Sequence, residues 1–155
     1  MLDVTVRSSG VASPRSPSAV LGPRRPPNGD RPQILIVEDD AELAELLAEQ
    51  LELAGFSVVL ASDAGFGLTA LRTRQFALVL SDQRMPGKTG VEMLCEARGE
   101  GLLDGVAALI VSADPLSDLP WRALRKPISF EDLLHEVHRA IDACAADPTD
   151  TSPSR

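Results

Sequence analysis

The chain reads as a doubly wound α/β domain with five parallel strands in the order 2-1-3-4-5. Three observations predict it. Short aliphatic runs alternate with helical patterns from residue 33 onward. The run FALVLS (76–81) has no polar alternation, as a central strand covered on both faces requires. Acidic residues close the first and third runs, where such sheets place their ligand site. Strand–helix alternation puts a parallel sheet between helical layers, with right-handed connections.

QILIV (33–37) is the first strand, of the buried type. The helix that follows carries Leu43, Leu46, Leu47, Leu51 and Ala54 on its expected apolar face, with Asp40 placed to cap it and Gly55 to end it. FSVVLA (56–61) is the second strand. Residues 63–74 form a helix that Asp63 caps, with Leu68 and Leu71 as its stripe. After the third strand comes the loop DQRMPGKTG (82–90), marked by Pro86, Gly87 and Gly90. A helix through VEMLCEARGE leads to the strand VAALIVS (106–112), and a short fifth strand lies near Ala123–Arg125. Ser129 and Asp132 approximate a capping box for a last helix reaching about Ala145. The topology is flavodoxin-like, with one departure. Residues 113–121 must carry the fourth crossover, although a parallel connection usually needs about a dozen residues or more. Its helix is therefore expected to be reduced or absent, and Pro115 and Pro120 oppose a long one.

The flanks differ in composition. Residues 1–31 form a Pro/Ser/Arg-rich extension, expected to be disordered because it cannot bury enough apolar surface to offset ordering entropy. Residues 147–155 are expected to be a second disordered tail, leaving 32–146 as the domain. The extension carries a net charge of +3 and the tail −1, so the formal −8 of the chain leaves −10 for residues 32–146. A domain so acidic is repelled by phosphate backbones, which disfavours direct nucleic-acid binding. No apolar run approaches the ~20 residues of a membrane span, and the amino terminus lacks the pattern of a secretory signal. Cys95 and Cys144 show neither metal-ligand spacing nor a disulfide framework, as expected in the cytoplasm.

At the switch point between strands 1 and 3, Glu38, Asp39 and Asp40 should meet Asp82. Any one of these acids is readily a cap or a solvated loop carboxylate, and Asp40 suits the capping role. Several together repel one another unless a cation offsets their charge. Carboxylate oxygens with a phosphate group suit Mg²⁺. Ser112, ending strand 4, adds a hydroxyl to the same rim, and Lys126, after strand 5, adds an ammonium. These parts match the needs of phosphoryl transfer to an aspartate.

ILIVEDD (34–40), LVLSDQRMPGKTGVEML (78–94), IVSAD (110–114) and RKP (125–127) resemble the signature segments of bacterial response-regulator receiver domains (CheY-like), in the family's order over about residues 32–146. The resemblance implies that Glu38, through water, and Asp39 hold Mg²⁺ together with Asp82 and the backbone carbonyl of Arg84. It also implies Asp82 as phosphoryl acceptor, Ser112 as the hydroxyl that bonds the phosphoryl oxygen, and Lys126 as its ammonium partner. Pro127 stands where the family carries a cis bond, which sequence alone leaves open. The family often places a switching aromatic where Ala123 stands, and Trp121 is positioned to plug the space of the short crossover. Conformational output is accordingly expected to be atypical. Arg84 and Asp114 occupy positions that tune phosphoryl lifetime in the family, and a salt bridge between them would screen the site from water. His135 and His138 read as polar-face or partner-facing residues.

The expectation is a stand-alone, cytoplasmic receiver that takes its phosphoryl group from a sensor histidine kinase or phosphotransfer protein. It would catalyse its own phosphorylation and dephosphorylation and signal by contact with a downstream protein. The alternatives are a pseudo-receiver serving as an interaction module and an aspartyl-nucleophile phosphohydrolase. Arg84 opposes the latter, standing where such enzymes commonly carry a second acid.

Overall fold

In the computed structural model, residues 4–7 and 31–146 are described. Their elements are β1 (Val4–Arg7), β2 (Gln33–Val37), α1 (Ala41–Leu53), β3 (Ser57–Ala61), α2 (Ala64–Thr73), β4 (Leu78–Asp82), α3 (Gly90–Gly99), β5 (Ala107–Ser112), β6 (Arg122–Arg125) and α4 (Phe130–Ala146). The sheet order is β1-β3-β2-β4-β5-β6. Strands β3-β2-β4-β5-β6 are mutually parallel, which is the expected 2-1-3-4-5 arrangement.

β1 is an addition, pairing antiparallel with the outer edge of β3. It falls within the extension expected to be disordered. For these four residues the β-branched run Val4, Thr5 and Val6 favours extended backbone, and a sheet edge supplies the hydrogen-bond partners. The remainder of that extension through residue 30, and the tail 147–155, lie outside the described residues.

Strand alternation divides the core into two layers. Ile34 and Ile36 of β2 face one way, with Val58, Leu80 and Leu109, and meet α1 and α4 through Ala48, Leu51, Leu133 and Val137. Leu35 and Val37 face the other way and meet α2 and α3 through Leu68, Leu71, Met93 and Leu94. β4 is buried along its whole length, as a central strand.

On α1 the buried stripe differs from the expected one. Ala44, Ala48 and Leu51 face the sheet, Leu43 and Leu47 are partly buried, and Leu46 is 52% exposed. Small alanines let the helix lie close to the strands beside Leu51, which leaves Leu43, Leu46 and Leu47 on its flank. Gly55, with φ +105°, follows the helix as expected of a residue beyond the C-cap.

Residues 113–121 contain no helix, as expected. Trp121 is buried instead, in the layer that holds Met85, Leu94, Ala97 and Leu103, with Leu116 and Leu119 packed against that layer. The Arg98 guanidinium lies 5.0 Å from the ring centroid. No helix among the described residues is long and apolar enough to cross a membrane.

Candidate functional site

The site sits at the carboxyl ends of β2, β4, β5 and β6. Parallel registers align these ends: Val37 pairs with Ser81, Asp82 with Val111, and Ser112 with Arg125. The residue following β2 is therefore Glu38, beside Asp82 at the end of β4, and the residue following β6 is Lys126.

Glu38, Asp39 and Asp82 each bring a carboxylate oxygen within 4.8 Å of the others. Glu38 and Asp82 are buried while Asp39 is exposed. Such an all-oxygen set suits a hard divalent cation, so the residues present fit Mg²⁺. Burial, followed by the nearby Asp82 charge, pushes the Glu38 carboxyl up to about 7 against the partial relief of a hydrogen bond from the Asp40 backbone. That bond runs from Asp40 N–H to Glu38 Oε2 at 3.2 Å. Asp40 itself caps α1, accepting from the N–H groups of Glu42 and Leu43 at 3.1 and 3.2 Å. It takes the capping role and does not join the cluster.

Lys126 Nζ donates to Asp82 Oδ1 at 2.7 Å. Burial draws the Lys126 ammonium down, but Asp82, with Glu38 and Asp39, outweighs this and raises it overall. Lys126 N–H donates to the Ser112 carbonyl at 2.8 Å, which fixes the loop carrying the ammonium against β5. The Lys126–Pro127 bond is cis. Ser112 is buried, and its Oγ accepts from Asp114 N–H at 3.1 Å. Arg84 points outward, two residues past Asp82, and pairs with Asp114 at 2.7 Å with both side chains largely exposed.

Several supporting residues lie outside the site expected from the sequence, although the Thr89-x-x-Glu92 spacing is itself a capping-box signature. Gln83 N–H donates to the Val111 carbonyl, and its Oε1 accepts from Val91 N–H at 2.9 Å, tying the loop after Asp82 to β5 and to α3. Thr89 and Glu92 form a complete capping box on α3. In the sequence Gly90 marks the end of a loop and falls within the segment 78–94 that carries the family resemblance. A Cβ there would stand 2.5 Å from the Asp82 carbonyl oxygen and 2.9 Å from Ser81 Oγ. Only glycine lets α3 begin this close to β4.

The chain matches the family model "Response regulator receiver domain" over residues 34–138. It belongs to that family. This receiver domain is 34% identical over 132 residues to a sensor histidine kinase of Pseudomonas aeruginosa, AruS, covering 74% of the chain and 13% of the kinase. It is 36% identical over 132 residues to the CpxR homolog of Haemophilus influenzae, covering 76% of the chain and 53% of that regulator. The response regulator receiver protein CpdR of Brucella abortus is 27% identical over 117 residues, with 72% of this chain and 98% of CpdR covered. Among solved structures, a CheY-like receiver domain protein from Methanospirillum hungatei shares the fold at a TM-score of 0.67 and 24% identity, over 74% of this chain and 98% of that one. A sensor protein from Polaromonas sp. JS666 does so at 0.64 and 31%, over 73% and 98%. The chain thus spans a small part of the kinase and between a quarter and about half of the transcriptional regulators it resembles.

Proposed function

We propose that this receiver domain accepts a phosphoryl group on Asp82 from a phosphohistidine of a sensor kinase or phosphotransfer protein. The observation that carries the reading is the convergence of the Glu38, Asp39 and Asp82 oxygens with Lys126 on Asp82 Oδ1. A carboxylate oxygen of Asp82 forms the new O–P bond as the P–N bond breaks, its electron pair leaving with the imidazole. Lys126 and the Ser112 hydroxyl neutralise charge on the phosphoryl oxygens. Glu38, Asp39, Asp82 and the Arg84 carbonyl would hold Mg²⁺, which supplies charge neutralisation where the phosphoryl oxygens gather. A related response regulator from Thermotoga maritima, at 25% identity, has been solved in complex with Mg²⁺ and BeF.

A cavity of about 560 Å³ opens beside Asp82, lined by Leu43, Leu46, Leu47, Ile128 and Phe130. In this reading it is where the donor protein seats its histidine-bearing element. The domain acts in the cytoplasm and passes its signal by protein contact.

Incubation with Mg²⁺ and acetyl phosphate is expected to add one phosphoryl group, detected by intact mass, to the native chain and none to Asp82→Ala. Equal labelling of both proteins would overturn Asp82 as the acceptor, and labelling of neither with the fold intact would leave the interaction-module alternative standing.

A further inference from the structure

Strand β3 is held on two sides. On its inner side Ser57 N–H donates to the Pro32 carbonyl at 2.9 Å, and the Ala61 carbonyl accepts from Glu38 N–H at 3.0 Å. Peptide groups of successive strand residues point to opposite edges. The N–H and C=O of Val58 and Leu60 therefore face outward, where Arg7 and Thr5 stand opposite them. Thr5–Leu60 and Arg7–Val58 are thus the hydrogen-bonded pairs, while the N–H groups of Val4 and Val6 point away from the sheet. Helix α2 also lies beside β1, so the segment extends the sheet beneath a helix.

We propose that the outer edge of β3 is a strand-receiving surface whose occupant is the chain's own Val4–Arg7, retained by its tether more than by its intrinsic affinity. Four residue pairs make a marginal association, since two-strand pairings are weak alone in water. Residues 8–32 join the segment to β2, and a covalent connection raises its local concentration to the order of millimolar. Its presence blocks an edge that would otherwise offer unpaired N–H and C=O groups to other extended chains. A free copy of the same segment should bind only when the resident strand has been displaced.

Two single prolines in the full chain test this. Thr5→Pro removes a donor aimed at Leu60, whereas Val6→Pro removes one aimed away from the sheet, a position where edge strands accept proline. Amide exchange followed by NMR is expected to quicken about tenfold or more at Val58 and Leu60 in Thr5→Pro, and much less in Val6→Pro, with β4 amides unchanged. A synthetic peptide of residues 1–9 at millimolar concentration should restore protection to the Thr5→Pro chain. Unchanged exchange in both variants, or equal acceleration in both, would overturn the pairing. Acceleration spread through the whole sheet would make β1 an integral part of the folding unit and overturn the detachable strand. A peptide that restores nothing would overturn the receiving surface.

Discussion

The acidic rim at Asp82 and the connection at residues 113–121 meet at Ser112, yet they are built in opposite ways. At the rim, buried strands, a glycine-tight helix start and backbone-held loops fix each polar group in place. In the connection the chain is mostly exposed and irregular, and Trp121 is its buried anchor. Phosphoryl chemistry depends on positions set to fractions of an ångström, whereas a crossover needs only to cover the sheet and return. The difference teaches that the second job can be done by one large side chain in place of a helix.

Trp121→Ala tests that comparison most severely. It removes the anchor from a closely packed layer and is expected to cost about 3–5 kcal/mol in chemical denaturation. Trp121→Phe keeps most of the volume and deletes an Nε1–H that has no partner among the described residues, so it should cost under about 1.5 kcal/mol. A loss for Trp121→Ala below about 1 kcal/mol would mean that the connection is not anchored by this residue.

Gly90→Ala strikes the rim instead. The new methyl would press on the Asp82 carbonyl, so a loss of about 1–3 kcal/mol is expected, together with slower phosphoryl uptake as α3 moves off the acceptor strand. Native-like uptake kinetics in a destabilised Gly90→Ala protein would show that the acceptor tolerates movement of its own backbone, contrary to the contrast drawn above.

How far the sequence carried these features follows from what fixes each of them. The five parallel strands were legible because burial on both faces leaves unbroken aliphatic runs such as LVLSD in β4. The acidic rim was legible because topology alone brings the ends of β2 and β4 together. The α1 face is legible in part: Leu47, Leu51 and Ala54 pack against the core, but apolarity alone does not separate Ala44 and Ala48, which sit against the sheet, from Leu46, which lines a neighbouring cavity. Gln83 and Gly90 act through backbone proximity across the sheet, which leaves no periodic trace. β1 was unreadable for a related reason. Four residues with a β-branched run are too short a signal to stand out within a Pro/Ser/Arg-rich stretch, and their partner strand lies far along the chain.

Glu38 gives the rim a pH signature. Its folded value of about 7 exceeds the ordinary 4.5, so between these two pH values the folded state holds a proton that the unfolded chain has released. The ion-free protein should therefore lose stability as pH rises through this window, with the loss complete above about 7. Protons compete with Mg²⁺ for the same carboxylate, so Mg²⁺ affinity should weaken by up to about tenfold per pH unit below that value. Denaturation series with and without Mg²⁺ check both signs. A Glu38→Gln protein with the same stability slope as the native chain would remove this carboxyl as the source.

The smallest expected effect lies where the two regions touch. Arg84 and Asp114 form an exposed pair that spans from the loop after Asp82 to the start of the connection. The Asp114 carboxylate raises the Arg84 guanidinium above its ordinary value, but solvent screens the pair, and Arg84→Ala should leave stability nearly unchanged. Its effect should appear in phosphoryl lifetime. If Asp82 takes the phosphoryl group as proposed, breaking this link is expected to admit water, so loss of the phosphoryl group should quicken by a small factor while uptake from acetyl phosphate is little changed. Asp114→Ala should match it, and the double variant should be no faster than either single one, because both remove the same barrier. Additive acceleration in the double variant would mean that the two side chains act separately and that the bridge between rim and connection has no part in guarding Asp82.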